Sequence, residues 1–395
     1  MGPWERVVMI PACKEFEYLP ACLDSLSRVP VNTLAVVVIN QHQNADATTQ
    51  TNNQKTLEWL LQYPHRKDDT HEYWVELPAL TVLVLDRFSV PLAAHQGVGK
   101  ARDIGMRRCC DLILERKITQ PWIWSTDADA RFAKDYLDLP PPGVDVGILP
   151  YLHHPSPPSL EIYDIGLRYY AQGLLWARSP YAFPTLGSVI CIHHALYIRV
   201  NGFPDRQAGE DFYLLNKACK MGSLMYLDRN PVRLEGRYSD RVPFGTGQKT
   251  IEIRQKNLQH KFYHPNCFSV VRDWIRILDT VSDERLIGDL SSVSPQFSGL
   301  PKLAKITKQK VSRKQQIKRR HEWFDAFWTM KLIHYVRDTQ YPSVHWEEAL
   351  RKSAFIDFET TKDISRGQKK AILEAQETKL LVGKRFGMST VRERL

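Results

Sequence analysis

The feature that most constrains the fold is an alternation of short apolar runs with amphipathic segments over the first 125 residues. Arg6–Ile10, Leu34–Ile39, Leu80–Leu85 and Trp122–Ser125 are apolar runs of strand length. Between them lie Glu17–Arg28, with Leu19, Leu23 and Leu26 at helical spacing, Asn53–Tyr63, with Leu57, Leu60 and Leu61, and the glycine-led Gly97–Arg116. This β-α-β-α-β-α-β order predicts an α/β fold with a mainly parallel sheet covered on both faces. Ligands of such sheets bind beyond the carboxyl ends of the strands, so the loops after Ile10, Ile39 and Ser125 are expected to line a site.

The pattern changes further along. Pro140–Pro142 and Pro155–Pro158 punctuate the middle. A helix over Leu160–Ala177, a strand over Ser188–Ile192 and a helix over Asp211–Met221 follow, and beyond residue 265 the pattern is helical. Two domains are expected, 1–265 and 266–395. Charge divides in the same way: residues 266–395 hold 25 Lys and Arg against 16 Asp and Glu, a net of +9, which leaves +1 for the rest. Pro301–Arg320 carries nine basic residues, from Lys302 through Lys305, Lys308 and Lys310 to Arg320, and no acid. Such a stretch is either a solvated linker or a dock for an anionic partner, with an anionic membrane surface, an acidic glycan and nucleic acid as the candidates. Nucleic acid fits least, because no aromatic residue interleaves with the basic run. The aromatic segment Glu322–Arg337 reads as a helix that is core or interface.

Seven cysteines, an odd count with no C-x-x-C pair, argue against a disulfide framework or a zinc site. No run approaches the roughly 20 apolar residues that span a bilayer, and the first residues show no cleavable signal pattern. The expected location is cytoplasmic, with the inner face of the membrane as a docking surface.

Four short segments offer chemistry. Asp127-Ala128-Asp129 follows the apolar run Trp122–Ser125, and two carboxylates at a strand end can share Mg²⁺ or Mn²⁺ with a diphosphate; alone it is equally an acidic turn. Gly209-Glu210-Asp211 precedes a helix, where an acid either caps the helix or takes a proton from an acceptor hydroxyl. Gly97-Val98-Gly99-Lys100-Ala101-Arg102 offers close backbone approach and positive charge, but it has the spacing of neither a P-loop nor a dinucleotide fingerprint. Arg237-Tyr238-Ser239-Asp240-Arg241, ahead of Gly245-Thr246-Gly247, suits a diphosphate or an anionic acceptor as well as it suits an ordinary basic loop. His153-His154 and His193-His194 read as loop and helix-start features.

The order of these segments is more specific than any one of them. Val8-Met9-Ile10-Pro11-Ala12-Cys13-Lys14-Glu15 resembles the opening of family 2 glycosyltransferases. Val36–Asn40, Gly99–Gly105, Asp127–Asp129, Gly187-Ser188, Val200-Asn201-Gly202-Phe203 and Gly209-Glu210-Asp211 follow in that family's order, over about residues 6 to 250. The resemblance implies a GT-A fold, a nucleoside-diphosphate-sugar donor, a divalent cation and, in general, inversion at the anomeric carbon. It implies that Pro11, Cys13 and Asn40 border the base and ribose, and that Arg102, Asp127, Gly187 and Ser188 complete the donor pocket, to which Arg237 and Arg241 are added as candidates on their own chemistry. Asp129 with Asp127 would hold Mn²⁺ or Mg²⁺, and some members add a late histidine, for which His264 is the candidate. Asp211, beside Glu210, would be the base. Cys13 stands where the family has an aromatic residue, Asn40 where it has Asp, and Asp103 where it has Asn. The acceptor would be a glycan, a lipid-linked hydroxyl or a small hydroxyl compound. Two other readings are a retaining GT-A synthase acting on a small hydroxy acid and a non-catalytic nucleotide-sugar or nucleic-acid binder.

Overall fold

A computed structural model describes residues 2–206, 209–238, 246–280, 305–306, 309, 311–356 and 364–393. The chain begins β1 (Arg6–Ala12), α1 (Leu19–Ser27), β2 (Thr33–His42), α2 (Ala47–Leu61), β3 (His65–Asp69), β4 (Glu72–Leu77), β5 (Leu80–Leu92), α3 (Val98–Leu114), β6 (Trp122–Ser125) and β7 (Ala130–Arg131). It continues β8 (Val146–Ile148), β9 (Tyr151–His153), α4 (Pro158–Trp176), β10 (Ile190–His193), α5 (His194–Arg199), α6 (Glu210–Met221), β11 (Leu224–Tyr226), β12 (Val232–Leu234) and α7 (Thr246–Gln255). The last part holds β13 (Lys261–Phe262), α8 (Pro265–Thr280), α9 (Arg313–Trp323), α10 (Ala326–Thr339), β14 (Val344–His345), α11 (Trp346–Lys352), α12 (Arg366–Leu381), β15 (Arg385–Phe386) and α13 (Met388–Glu393).

The chain divides into two compact units. The first comprises Met1–Pro157, Thr185–Ala218 and Met225–Ile251; the second comprises Pro158–Pro184, Cys219–Leu224 and Glu252–Leu395. A single cut at residue 265 does not describe this division, because α4 packs on α8 and α12 of the second unit. Glycines let α4 approach closely: a Cβ at Gly173 would lie 2.7 Å from the Phe268 ring of α8, and one at Gly166 would lie 2.9 Å from Phe262 of β13.

In the first unit the central sheet runs β11-β8-β10-β6-β1-β2-β5-β4-β3. Its core, β6-β1-β2-β5, is parallel, with Val8 opposite Ala35 and Trp124 and with Val36 opposite Leu83. β10 joins antiparallel to β6 and β8. This is the α/β arrangement with a Rossmann-like sheet that the apolar runs predict: all of Leu34–Ile39 is buried, as befits a strand covered on both faces. The hairpin β3–β4 was not expected. All five residues of β3 are exposed, so no apolar alternation marks it, and its pairing comes from the neighbouring edge rather than its own side chains. α2 also starts earlier than the leucines suggest, at an Asp46 cap whose side chain accepts from the Thr49 amide at 2.6 Å. A small sheet of β7, β12 and β9 completes the unit.

The second unit is helical. The segment expected as one helix, Glu322–Arg337, is two, because the Asp325 carboxylate accepts from the Trp328 amide and starts α10. Trp274 stacks on Phe324 with ring centroids 5.2 Å apart, and both are buried, so the aromatic segment is core. Of the basic run, Arg320 is buried and donates to Leu278 O at 3.3 Å, while Lys302, Lys308 and Lys310 lie outside the described residues. No helix among the described residues is long and apolar enough to cross a membrane.

Between α4 and α12 lies a buried ion cluster. Arg168 is 3.3 Å from Glu377 and 3.4 Å from Glu374, and Lys370 is 3.4 Å from Asp164. Burial pushes the Glu377 carboxyl up to about 7, against the pull of Arg168. Removing the central cation strands several carboxylates in a dry interface. Arg168→Leu is expected to cost about 3–5 kcal/mol, read from denaturant unfolding; a loss within measurement error would show that the cluster contributes nothing.

Candidate active site

The site lies where β1 and β6 end side by side. Asn40 on β2 is buried and donates to Ala12 O (3.3 Å) and Val38 O (3.1 Å). From α2, Asn53 donates to Asn40 O (3.0 Å) and accepts from the Lys14 amide (2.9 Å), while Asn52 accepts from the Phe16 amide (3.0 Å). The end of β1, with buried Pro11, and the loop after it, with half-buried Cys13, are thereby tied to the end of β2. Lys14 sits at φ 57, so the chain turns sharply there and carries Glu15 inward, 5% exposed.

Arg102, one turn into α3, is the centre of the site. Its guanidinium donates to Ser125 Oγ (3.1 Å) and Thr126 O (3.3 Å), reaches Asp127 at 2.5 Å, and pairs with Glu210 at 3.2 Å. Burial alone would lower its pKa, but the charges of Asp127 and Glu210 outweigh that and hold it above the usual arginine value. Two glycines of the recognised segments make room. A Cβ at Gly187 would lie 3.1 Å from Arg102 Nε, and one at Gly99 would lie 2.8 Å from Pro204 O and 2.9 Å from Glu210 Cβ. The helix therefore seats against the loop before α6 only with glycine at position 99.

Arg237 is the second centre. β12 pairs antiparallel with β7, Leu234 opposite Ala130, so the chain leaving β12 passes the residue just before β7. Arg237 lies 2.9 Å from Asp129 and donates to both Glu15 oxygens, at 2.6 and 2.7 Å, with its guanidinium 4.1 Å from the Tyr18 ring centroid. Burial opposes its charge, and Glu15 and Asp129 more than offset it. Each carboxylate of the D-x-D segment thus faces its own arginine.

Asp211, at the start of α6, accepts from the Gly187 amide (2.9 Å) and from the Phe212 amide (2.7 Å). Desolvation, with the adjacent Glu210 charge, raises its pKa to about 7. Ser125 Oγ donates to Gly187 O at 2.8 Å, so a continuous chain of bonds runs from Asp211 through Gly187 and Ser125 to Arg102 and Asp127. Ser188 is buried next to it. Asp103 accepts from Tyr197 Oη and from Arg107, each at 2.8 Å, and acts as a tie between α3 and α5.

Among the residues singled out from sequence, Pro11, Cys13, Asn40, Arg102, Asp127, Asp129, Gly187, Ser188, Glu210, Asp211 and Arg237 all belong to the first unit. Arg241 lies outside the described residues. His264 belongs to the second unit, where its Nδ1 accepts from the Asn266 amide at 3.1 Å and its ring stacks on Tyr341. The described residues contain no group of three His, Cys, Asp or Glu side chains placed to hold a metal ion. Sequence reading missed Glu15 as a partner of Arg237, Tyr18 beneath it, and Asn52 and Asn53.

No protein-family model matches the chain, and no curated protein matches it. Among solved structures it is similar to S. aureus TarS residues 1–349 in complex with UDP-GlcNAc, at 14% identity and a TM-score of 0.39, over 86% of this chain and 93% of that one. It is also similar to a mycobacterial protein, at 14% identity and a TM-score of 0.34, over 65% of this chain and 74% of that one.

The raised pKa of Asp211 carries a stability consequence. The folded carboxyl binds its proton more tightly than the unfolded one, so stability is fully present below the unfolded pKa and falls as pH rises toward about 7. Asp211→Asn mimics the protonated form. It is expected to raise the melting temperature by about 2–4 °C at pH 8 and to leave it unchanged at pH 4. Equal melting curves at pH 8 would contradict the raised pKa.

Proposed function

We propose that this chain is a glycosyltransferase that moves a sugar from a nucleoside-diphosphate donor to a hydroxyl acceptor, with a divalent cation and with inversion. The observation that carries the reading is the bonded chain joining Asp211, with a pKa near 7, to the D-x-D carboxylates through Ser125, Gly187 and Arg102. A proton acceptor tuned to neutral pH and a place for a diphosphate are thereby held in one rigid frame. The order of the family 2 segments along the sequence supports the same reading.

The residues fit Mg²⁺ or Mn²⁺. Glu15, Asp127, Asp129 and Glu210 surround two guanidiniums, an excess of negative charge that would repel a diphosphate unless a cation came with it. Two strand-end carboxylates without a third protein ligand suit a cation whose remaining ligands are phosphate oxygens and water. Asp129 and Asp127 would hold it; when bound it would neutralise charge on the departing diphosphate. Arg102 keeps Asp127 in position, Glu210 keeps Arg102 in position, and Arg237 offers its guanidinium to the diphosphate. Asn40, Pro11 near the end of β1 and Cys13 just after it border the nucleoside. The acceptor hydroxyl attacks the anomeric carbon as its proton passes to Asp211, and the nucleoside diphosphate leaves with the electron pair of the broken C–O bond.

Donor identity follows from a thermal-shift screen of UDP-, GDP-, CMP- and dTDP-sugars with Mn²⁺, since a bound ligand raises the melting temperature. With the donor found, Asp129→Ala is expected to abolish transfer while the fold survives; full activity of that variant in EDTA would sink the metal assignment. Asp211→Asn is expected to lower kcat by roughly 10²-fold or more with donor affinity nearly unchanged. The wild-type rate should rise with pH through an inflection near 7. A matching loss of donor affinity would make Asp211 a binding residue instead, and the anomer of the product, read by NMR, decides inversion.

A further inference from the structure

The two carboxylates of the D-x-D segment meet their arginines in different ways. Asp127 is held by Arg102, which also bonds Ser125, Thr126 and Glu210, so that pair belongs to the rigid frame. Asp129 meets Arg237, and there all the acid contacts fall on one nitrogen, Nη2. Nη2 carries two hydrogens but has three carboxylate oxygens around it. Glu15 Oε1 and Oε2 accept hydrogen bonds at 2.6 and 2.7 Å, and Asp129 Oδ2 is left with the longest contact, an ion pair at 2.9 Å.

These contacts differ in what breaking them costs. Glu15 is buried, carried inward by the turn at Lys14. A buried carboxylate stripped of its cation is strongly destabilised, so the Arg237–Glu15 pair is the durable one. The Tyr18 ring, 4.1 Å from the guanidinium, holds its plane in place. Asp129 is different, because a divalent cation satisfies a carboxylate as well as a guanidinium does. Among the described residues no side chain accepts from Nε or Nη1 of Arg237, so these donors can reach phosphate oxygens while Nη2 stays on Glu15.

We propose that Glu15 is a positioning residue, the pivot on which Arg237 exchanges one partner for another. As it stands, the guanidinium covers Asp129 in the place a cation would take. When cation and donor bind, it leaves Asp129 for the diphosphate and remains on Glu15. The proposal rests on the glycosyltransferase reading and adds an order of events to it. A cation arriving alone has to displace a guanidinium that gains nothing in return, whereas a cation arriving with a diphosphate gives it a new partner. Cation and donor therefore strengthen each other's binding through Arg237, each by the same factor.

The test titrates Mn²⁺ into the full chain, read by the EPR signal of the free ion. Mn²⁺ is added alone, and then with UDP-, GDP-, CMP- and dTDP-sugars in turn. Arg237→Gln removes the charge and keeps a polar side chain. It is expected to bind Mn²⁺ alone about tenfold more tightly than wild type, and to gain less Mn²⁺ affinity from the donor. Adding Asp129→Asn to that variant should cancel the tighter binding. Arg237→Lys keeps the charge but loses the fork. It should bind Mn²⁺ alone as weakly as wild type and also gain less from the donor. Glu15→Gln should bind Mn²⁺ alone no more tightly than wild type, while its donor affinity in Mn²⁺ falls about tenfold. A merely structural Arg237 would lower both affinities together in Arg237→Gln, which would overturn the exchange. Unchanged coupling in both Arg237 variants would also overturn it, and with donor binding intact the glycosyltransferase reading would still stand. Undiminished donor affinity in Glu15→Gln would overturn the pivot. Tighter Mn²⁺ binding in Arg237→Gln, with no donor bound by any form of the protein, would leave a cation site on Asp129 and overturn the exchange together with the glycosyltransferase reading.

Discussion

The first unit is organised around one buried cation. Arg102 is 4% exposed, and taking a guanidinium out of water costs several kcal/mol unless its donors are met. They are met from two separated stretches of chain, Ser125 at the end of β6 with Thr126 and Asp127 just beyond it, and Glu210 at α6, while Gly187 from a third packs against its face. None of these partners is near Arg102 in sequence. Once the arginine is buried, the loop after β6, the turn before β10 and the start of α6 have one mutual arrangement that leaves no charge stranded. The D-x-D segment and the Asp211 carboxyl are therefore positioned by the same group, and a site built from loops acquires the rigidity of the sheet beneath it.

The fold was legible where side-chain burial is two-sided. Residues 34–39 and 122–125 announce covered strands because nothing polar interrupts them, whereas β3 is wholly exposed and carries no signal of its own. The glycines were legible as motifs but not as mechanisms. Their meaning is steric: Gly99 admits the loop carrying Pro204, and Gly187 admits the Arg102 guanidinium. The ion pairs were not legible. Glu15 and Arg237 are 222 residues apart, and β12, which pairs with β7 and β9, delivers Arg237 to the site. Glu210 illustrates the same limit. In sequence it is one of two adjacent acids at a helix start, and either could be the base; in space it is spent on Arg102, which leaves Asp211 with the raised pKa.

Arginine serves opposite purposes in the two units, and burial decides which. In the first, Arg102 and Arg237 are enclosed by carboxylates that fix their position. In the second, Arg168 is equally enclosed among Asp164, Glu374 and Glu377, but Arg272, Arg276 and Arg313 are exposed on cavity walls where acids are outnumbered. Residues 266–395 carry an excess of positive charge. It is not a property of the acid-free run alone, since Arg320 at the end of that run is buried core and the cavity cations on α8 lie outside it.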